Sequence, residues 1–215
     1  MAFTVIFQGD SITDCGRNNC GGAGYTNNGL GPGYPSLIAS RLQCDYPAKD
    51  IAFINKGISG NRIVDLYARW RIDGLNLNPD IISILIGVND TWHEFGNHNG
   101  VDVPRYARFY RELLEWSKST LPNVKFVLLE PFVAPGLVGK PEFVAEVAER
   151  AKVVKGLADE FGAIFLPLQG IFNDAFKKAP ENHWTPDGVH PTPAGHQLIT
   201  DAWLKATADI FAAIS

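Results

Sequence analysis

The sequence predicts an α/β protein: a three-layer α/β/α sandwich around a five-stranded parallel sheet. Three observations lead there. Short apolar runs alternate with longer amphipathic ones along the chain, the order expected of βαβ units. The run 81–86, Ile-Ile-Ser-Ile-Leu-Ile, is apolar almost throughout, which suits a central strand covered on both faces. No break in composition resembles a linker, so residues 1–215 read as one domain. Right-handed crossovers then place helices on both faces of the sheet.

The predicted strands are 3–7, 51–55, 81–86, 124–129 and 163–166. Helices fall between and after them. Phe143, Val144, Val147, Ala151, Val154, Ala158 and Phe161 recur at spacings of three or four, one face of a helix. Tyr106, Phe109, Tyr110, Leu113 and Leu114 repeat the pattern over 103–119. Leu198, Ile199, Ala202, Ala206 and Ile210 mark a last helix, with Thr192 as its N-cap and Pro193 at its first position.

Composition narrows the functional classes. Hydrophobic residues make up 46% and charged residues 20%, too apolar for disorder and ordinary for a globular protein. A net charge of -4, with no run of like charges, argues against nucleic acid as a partner. No stretch approaches a membrane span, and the opening apolar run is too short and lacks the basic leader of a signal peptide. The expectation is a cytoplasmic protein. Cys15, Cys20 and Cys44 form no Cys-x-x-Cys pair and read as free thiols, although Cys15 and Cys20 share a loop that a bridge could close.

In a parallel sheet, ligands bind at the carboxyl ends of the strands. The unusual residues of this chain fall there. Gly9-Asp10-Ser11 follows the first predicted strand, Gly57-Ile58-Ser59-Gly60-Asn61-Arg62 the second, and Gly87-Val88-Asn89-Asp90 the third. Asp187-Gly188-Val189-His190-Pro191 precedes the last helix. Each alone has an ordinary reading: a turn, a cap, a loop glycine, a surface histidine.

Together they hold the parts that acyl transfer needs. A serine hydroxyl is weakly nucleophilic until a base takes its proton. His190 is such a base, because imidazole titrates near neutrality. Asp187 lies three residues earlier, in a segment whose Gly188 and Pro191 disfavour helix. A turn there can bring its carboxylate to Nδ1 of the histidine. The amides of Ser11 and Gly60 and the side chain of Asn89 are candidate donors to an oxyanion.

These four blocks, in this order and spacing from residue 7 to about 197, resemble the SGNH (GDSL-type) hydrolases. The resemblance implies a flavodoxin-like sandwich and an ester hydrolase with no metal or cofactor. It also implies Ser11 as nucleophile, His190 as base, Asp187 as third triad member, and Gly60 and Asn89 as oxyanion donors. Rival readings fit less well. The Gly-x-Ser-x-Gly elbow of α/β-hydrolases is missing, and His93 and His98 stand five apart, off the spacing of a helical zinc motif. A non-catalytic binding protein with a phosphate or flavin in the first loop would leave Asp187 and His190 unexplained.

Three segments narrow the resemblance further: Gly87-Val88-Asn89-Asp90-Thr91-Trp92, Leu129-Glu130-Pro131-Phe132 and Trp184 through Pro191. They are similar to a group of intracellular carbohydrate acetyl esterases, including acetyl-xylan esterases. That similarity implies a short acyl pocket, acetylated xylo-oligosaccharides as substrates and a homo-oligomer. A general short-chain aryl esterase, thioesterase or lysophospholipase of the same family is the alternative. Asp10, Tyr25, Arg62, Trp92 and Trp184 are the candidate substrate contacts. Trp92 and Trp184 are expected on loops around Ser11, and the Gly- and Asn-rich segment 14–33 is a candidate wall of the site.

Overall fold

The computed structural model describes residues 2–17 and 29–214. Its centre is a sheet of five parallel strands in the order β2-β1-β3-β4-β5. The strands are β1 (Phe3–Gly9), β2 (Ile51–Asn55), β3 (Ile81–Leu85), β4 (Lys125–Leu129) and β5 (Ile164–Leu166). All five were legible as apolar runs, β2 with both ends as expected and the others with ends within two residues.

The helices are α1 (Ser11–Asp14), α2 (Tyr34–Asp45), α3 (Ile63–Asp73), α4 (Val88–Asn97), α5 (Val103–Thr120), α6 (Pro135–Val138), α7 (Pro141–Phe161), α8 (Leu168–Phe176), α9 (Glu181–Trp184) and α10 (Pro193–Ala212). Helices α5, α7 and α10 lie where the three- and four-residue spacing placed them. Thr192 caps α10 as expected, its hydroxyl accepting from the Gly195 amide at 3.2 Å with Pro193 in the first turn.

The sequence reading placed no helix at α1, α2, α3, α4, α6, α8 or α9. In α2 the buried positions Tyr34, Ile38, Ala39 and Leu42 form one stripe, next to a glycine-rich stretch that reads as loop. Tyr34, fully buried, is a core residue. In α3 the buried stripe is Ile63, Leu66 and Trp70. Trp92 lies within α4 and Trp184 ends α9, so neither stands on the loop expected of it. Helix α4 starts at Val88, so Asn89 and Trp92 stand one turn apart on neighbouring positions of one face.

Alternate residues of each strand face opposite layers. Val5, Phe7, Ile81, Leu85, Val127 and Leu129 pack with α2, α8 and α10. Ile6, Ile82, Ile84, Phe126 and Leu128 pack with α3, α5 and the end of α7. Ser83, at the middle of the central strand, is fully buried and accepts from the Trp203 indole at 3.0 Å, so its hydroxyl has a partner. Among the described residues no helix is long and apolar enough to cross a membrane. Cys15 and Cys44 are free thiols; Cys20, and with it the question of a bridge to Cys15, lies outside the described residues.

Beneath the carboxyl edge of the sheet, His196 of α10 joins three segments. Its Nδ1 accepts from the Tyr34 amide at 3.2 Å, which puts the proton on Nε2, 3.4 Å from the Cys15 sulfur. Its ring also stacks on Tyr34. Burial, helped by the nearby His190, pushes its pKa down to about 4. Between that value and the free-histidine range near 6.5 the unfolded chain binds the proton and the folded one does not, so this contribution to stability falls as pH drops. Relative to His196→Gln, the wild-type protein should lose about 2–3 kcal/mol of unfolding free energy between pH 7.5 and pH 4.5. Urea denaturation of both proteins at the two pH values measures this, and contributions from other groups cancel in the difference. A pH-independent difference would contradict a buried neutral His196.

Candidate active site

The site is built where β1, β2 and β3 end side by side. Gly9 closes β1 in a space that admits no side chain: a Cβ there would sit 2.3 Å from the Thr13 hydroxyl and 2.4 Å from the Leu85 carbonyl oxygen. The chain then turns into α1, and Asp10 caps it by accepting from the Ile12 amide at 3.0 Å. Ser11 is the first residue of the turn, which carries its hydroxyl to the edge of the sheet.

The second segment is fastened to the first by hydrogen bonds of Asn55, Ile58, Arg17 and Asp14. Asn55, at the end of β2, donates to the carbonyls of Thr13 and Leu30 at 2.7 and 2.8 Å and accepts from the Gly57 amide at 2.9 Å. The Ile58 amide donates to the Gly9 carbonyl. The Arg17 guanidinium donates to the Gly57 carbonyl at 2.6 Å. One carboxylate oxygen of Asp14 accepts from both the amide and the hydroxyl of Ser59 at 3.0 Å. Gly60 follows with φ +81°, a conformation that favours glycine, and open space lies above its Cα.

The third segment meets the second through α4. The Asn89 side chain donates one N–H to the Asn61 carbonyl at 3.2 Å. A primary amide carries two such hydrogens, and this bond uses one of them. Asp90 is fully buried and accepts from the Ile63 amide at 3.1 and 3.2 Å, pinning the start of α3 to α4.

The fourth segment brings the histidine. One oxygen of Asp187 accepts from the amides of Val189 and His190 at 3.0 and 2.8 Å, which folds the turn back on itself. Gly188 sits at φ +90°, where a Cβ would lie 2.8 Å from the Val138 side chain. The other Asp187 oxygen is 2.6 Å from His190 Nδ1, and His190 Nε2 is 2.7 Å from the Ser11 hydroxyl oxygen. The carboxylate can only accept, so Nδ1 carries the proton and Nε2 offers its lone pair to the serine. Partial burial of Asp187 raises its pKa, but the hydrogen bonds from the His190 ring and the two amides outweigh it, and the carboxyl titrates below its ordinary range.

The structure thus brings together Ser11, His190 and Asp187, and sets Gly60 and Asn89 on the adjoining segments. The predicted substrate contacts divide. Trp92 is 41% exposed and lines a cavity that also touches Asp187. Arg62 is occupied, its guanidinium bonded to Asp65 and to the carbonyl and side chain of Asn99. Trp184 is partly buried, its indole donating to the Ala179 carbonyl, while its own carbonyl receives the Thr192 amide at the exit of the His190 turn. Asp10 is 1% exposed, its carboxyl buried next to Ser11 and accepting from the Ile12 amide. Burial lifts its pKa to about 7, against the opposing pull of the Ile12 amide and His190. Tyr25 lies outside the described residues.

The sequence pattern of the GDSL-like Lipase/Acylhydrolase family matches residues 7–198. The chain belongs to this family. It is 36% identical over 205 residues to an acetylxylan esterase of Geobacillus stearothermophilus, covering 94% of this chain and 92% of that protein. The solved structure of Axe2, an acetylxylan esterase from the same organism, superposes with a TM-score of 0.84 at 35% identity, over 94% of this chain and 93% of that one. A GDSL-like lipase candidate from Parabacteroides merdae reaches a TM-score of 0.90 at 40% identity, over 95% of both chains. The protein is accordingly a carboxylic ester hydrolase of the α/β class.

Asp14, Asn55, Asp90 and His196 were not singled out from sequence, although Asp90 lies inside a block that was. Their signal was position alone: polar residues at strand ends, where buried backbone needs partners. For the Asp187 carboxylate, whose contacts set the histidine tautomer, Asp187→Asn should reduce kcat by roughly 10,000-fold while the fold persists. Steady-state kinetics on p-nitrophenyl acetate with a melting control measures this, and a loss below about ten-fold would remove Asp187 from that role.

Proposed function

We propose that this protein removes acetyl groups from carbohydrates, with acetylated xylo-oligosaccharides as the leading substrates. The mechanism is a two-step acyl transfer. The observation that carries the mechanism is the continuous hydrogen-bonded chain from Asp187 through His190 to Ser11. The substrate class is supported by the likeness to the Geobacillus acetylxylan esterase.

In the first step the Ser11 oxygen bonds to the ester carbonyl carbon as its proton passes to His190 Nε2. Negative charge moves to the carbonyl oxygen, where the amides of Ser11 and Gly60 and the second N–H of Asn89 receive it. The tetrahedral intermediate collapses, the C–O bond to the sugar breaks, and His190 returns the proton to the departing alkoxide. Asp187 stabilises the imidazolium that exists between these two transfers. In the second step water attacks the acetyl-enzyme, giving its proton to His190. Acetic acid leaves as that proton returns to Ser11. The scheme requires no metal or cofactor.

The reading is tested by acetate release from acetylated xylo-oligosaccharides and by p-nitrophenyl acetate hydrolysis, in wild type and Ser11→Ala. Wild type should cleave both and the variant neither, with an unchanged melting curve. Cleavage of the aryl ester alone would keep the mechanism and overturn the carbohydrate assignment; full activity in Ser11→Ala would overturn the mechanism. Asn89→Ala should lower kcat by about 100- to 1,000-fold with KM little changed, the loss expected for one oxyanion donor. An unchanged kcat would exclude Asn89 from that role.

A further inference from the structure

Among the described residues, four large apolar side chains are markedly exposed: Ile72, Trp92, Phe95 and Leu137. Ile72 lies on α3, while the other three line a single cavity of about 210 Å³. Trp92 and Phe95 stand one turn apart on α4, both braced by the buried Phe143 ring at 5.7 and 5.5 Å. Leu137, on α6, belongs to the same cavity, and the Lys140 ammonium lies 5.8 Å from the Phe95 ring. Asp187 also lines it. The cavity therefore begins where the triad ends.

Its walls are held rigidly with respect to that triad. The Gly136 and Leu137 amides donate to the Glu181 carboxylate at 3.2 and 3.0 Å, and the Ala134 amide donates to the Gly188 carbonyl at 2.8 Å. Helix α6 is thus tied to the very turn that holds Asp187 and His190. Trp92 shares α4 with Asn89. Exposed apolar rings fixed beside a polar site are the ordinary makings of a recognition surface.

Distance decides which part of a substrate reaches it. Two short hydrogen bonds and an imidazole ring separate the Asp187 carboxylate from the Ser11 oxygen, a span of roughly 7 Å. An acetyl methyl lies one C–C bond, about 1.5 Å, from the carbonyl carbon and stays near the serine. The alcohol oxygen must meet His190 Nε2 to receive its proton, so the alcohol portion starts at the histidine and runs outward along it. Asp187, which lines the cavity with Trp92 and Phe95, lies on the far side of the imidazole from Ser11.

We propose that this cavity is a subsite for the alcohol portion of the ester one ring beyond the scissile bond: the second sugar residue of an acetylated oligosaccharide. The inference rests on the acyl-transfer reading above. The apolar C–H face of a pyranose stacks on Trp92 and Phe95, and Lys140 donates to its hydroxyls. Remote contacts of this kind raise the rate for longer substrates without touching the reacting atoms.

The test compares Phe95→Ala and Leu137→Ala with wild type on paired acetates. One pair is acetylated methyl xyloside and acetylated xylotriose; the other is p-nitrophenyl acetate and 4-phenylphenyl acetate. In both variants kcat/KM for the longer member should fall about ten-fold further than for the shorter, the scale of one lost stacking contact. Equal losses within each pair would overturn the subsite. So would a loss that grows with acyl length, from acetate to hexanoate on one alcohol, since it would assign the cavity to the acyl chain. Altered sedimentation with unchanged selectivity would assign it to contact between copies of the chain. Wild type that cleaves aryl but not sugar acetates would overturn the carbohydrate assignment, and the aryl pair would still decide the subsite. Wild type that cleaves no ester would overturn the acyl-transfer reading itself, a result distinct from equal losses.

Discussion

The register of β1 between β2 and β3 is the constraint on which the site depends. Phe7 is paired with Asn55 on one side and with Ser83 on the other, and Gly9 lies beside Leu85. Three chain segments therefore leave the sheet at one level, within reach of each other's backbone. A shift of one residue would exchange the two faces of β1, driving Ile6 into the layer that Val5 and Phe7 now fill. It would also carry Ser11 away from the Gly60 segment. The buried strand faces thus keep the candidate nucleophile and oxyanion donors together.

Above that register, polar side chains do the fastening. Asn55, Asp14 and Asp90 each bond to backbone of a neighbouring segment, joining β1 to β2 and α3 to α4. Backbone at strand ends has no ladder partner, so such bonds satisfy groups that would otherwise be stranded. Two of the carboxyls near the site are deeply buried. Burial raises Asp10 to about 7 and Asp90 to about 8, in each case against a backbone amide bond and a nearby basic side chain, His190 for Asp10 and Arg150 for Asp90, that favour the charged form. Asp187, by contrast, is half open to solvent and hydrogen-bonded by three N–H groups, and it stays ionised. Environment separates the buried carboxyls from the one hydrogen-bonded to the histidine ring.

The strands and the three longest helices were legible because their burial is strongly periodic. Ile81 to Ile86 and the Phe143 to Phe161 stripe admit one interpretation each. Helix α2 was obscured by its position after a glycine-rich stretch, and α3 by the glycine-bearing block before it. Both carry a three- to four-residue stripe that was there to be read. Gly87 and Asn89 resemble turn residues, yet in the fold Gly87 caps α4 and Asn89 lies in its first turn, which puts Trp92 on a helix. The positions of Ser11, Asp187 and His190 followed from motif order, and the turn at Asp187 from Gly188 and Pro191. What sequence could not convey was direction: Asp10 turns inward, and Arg62 is held by Asp65 and Asn99.

The central claim is that the geometry of Asp187, His190 and Ser11 makes this serine a nucleophile. Exposure to diethyl p-nitrophenyl phosphate, followed by intact-mass measurement and peptide mapping, tests that claim most directly. One diethyl phosphoryl adduct is expected, on Ser11, formed rapidly in wild type and far more slowly in His190→Ala. Labelling at another residue, or an unlabelled Ser11 in protein that still cleaves esters, would contradict the account.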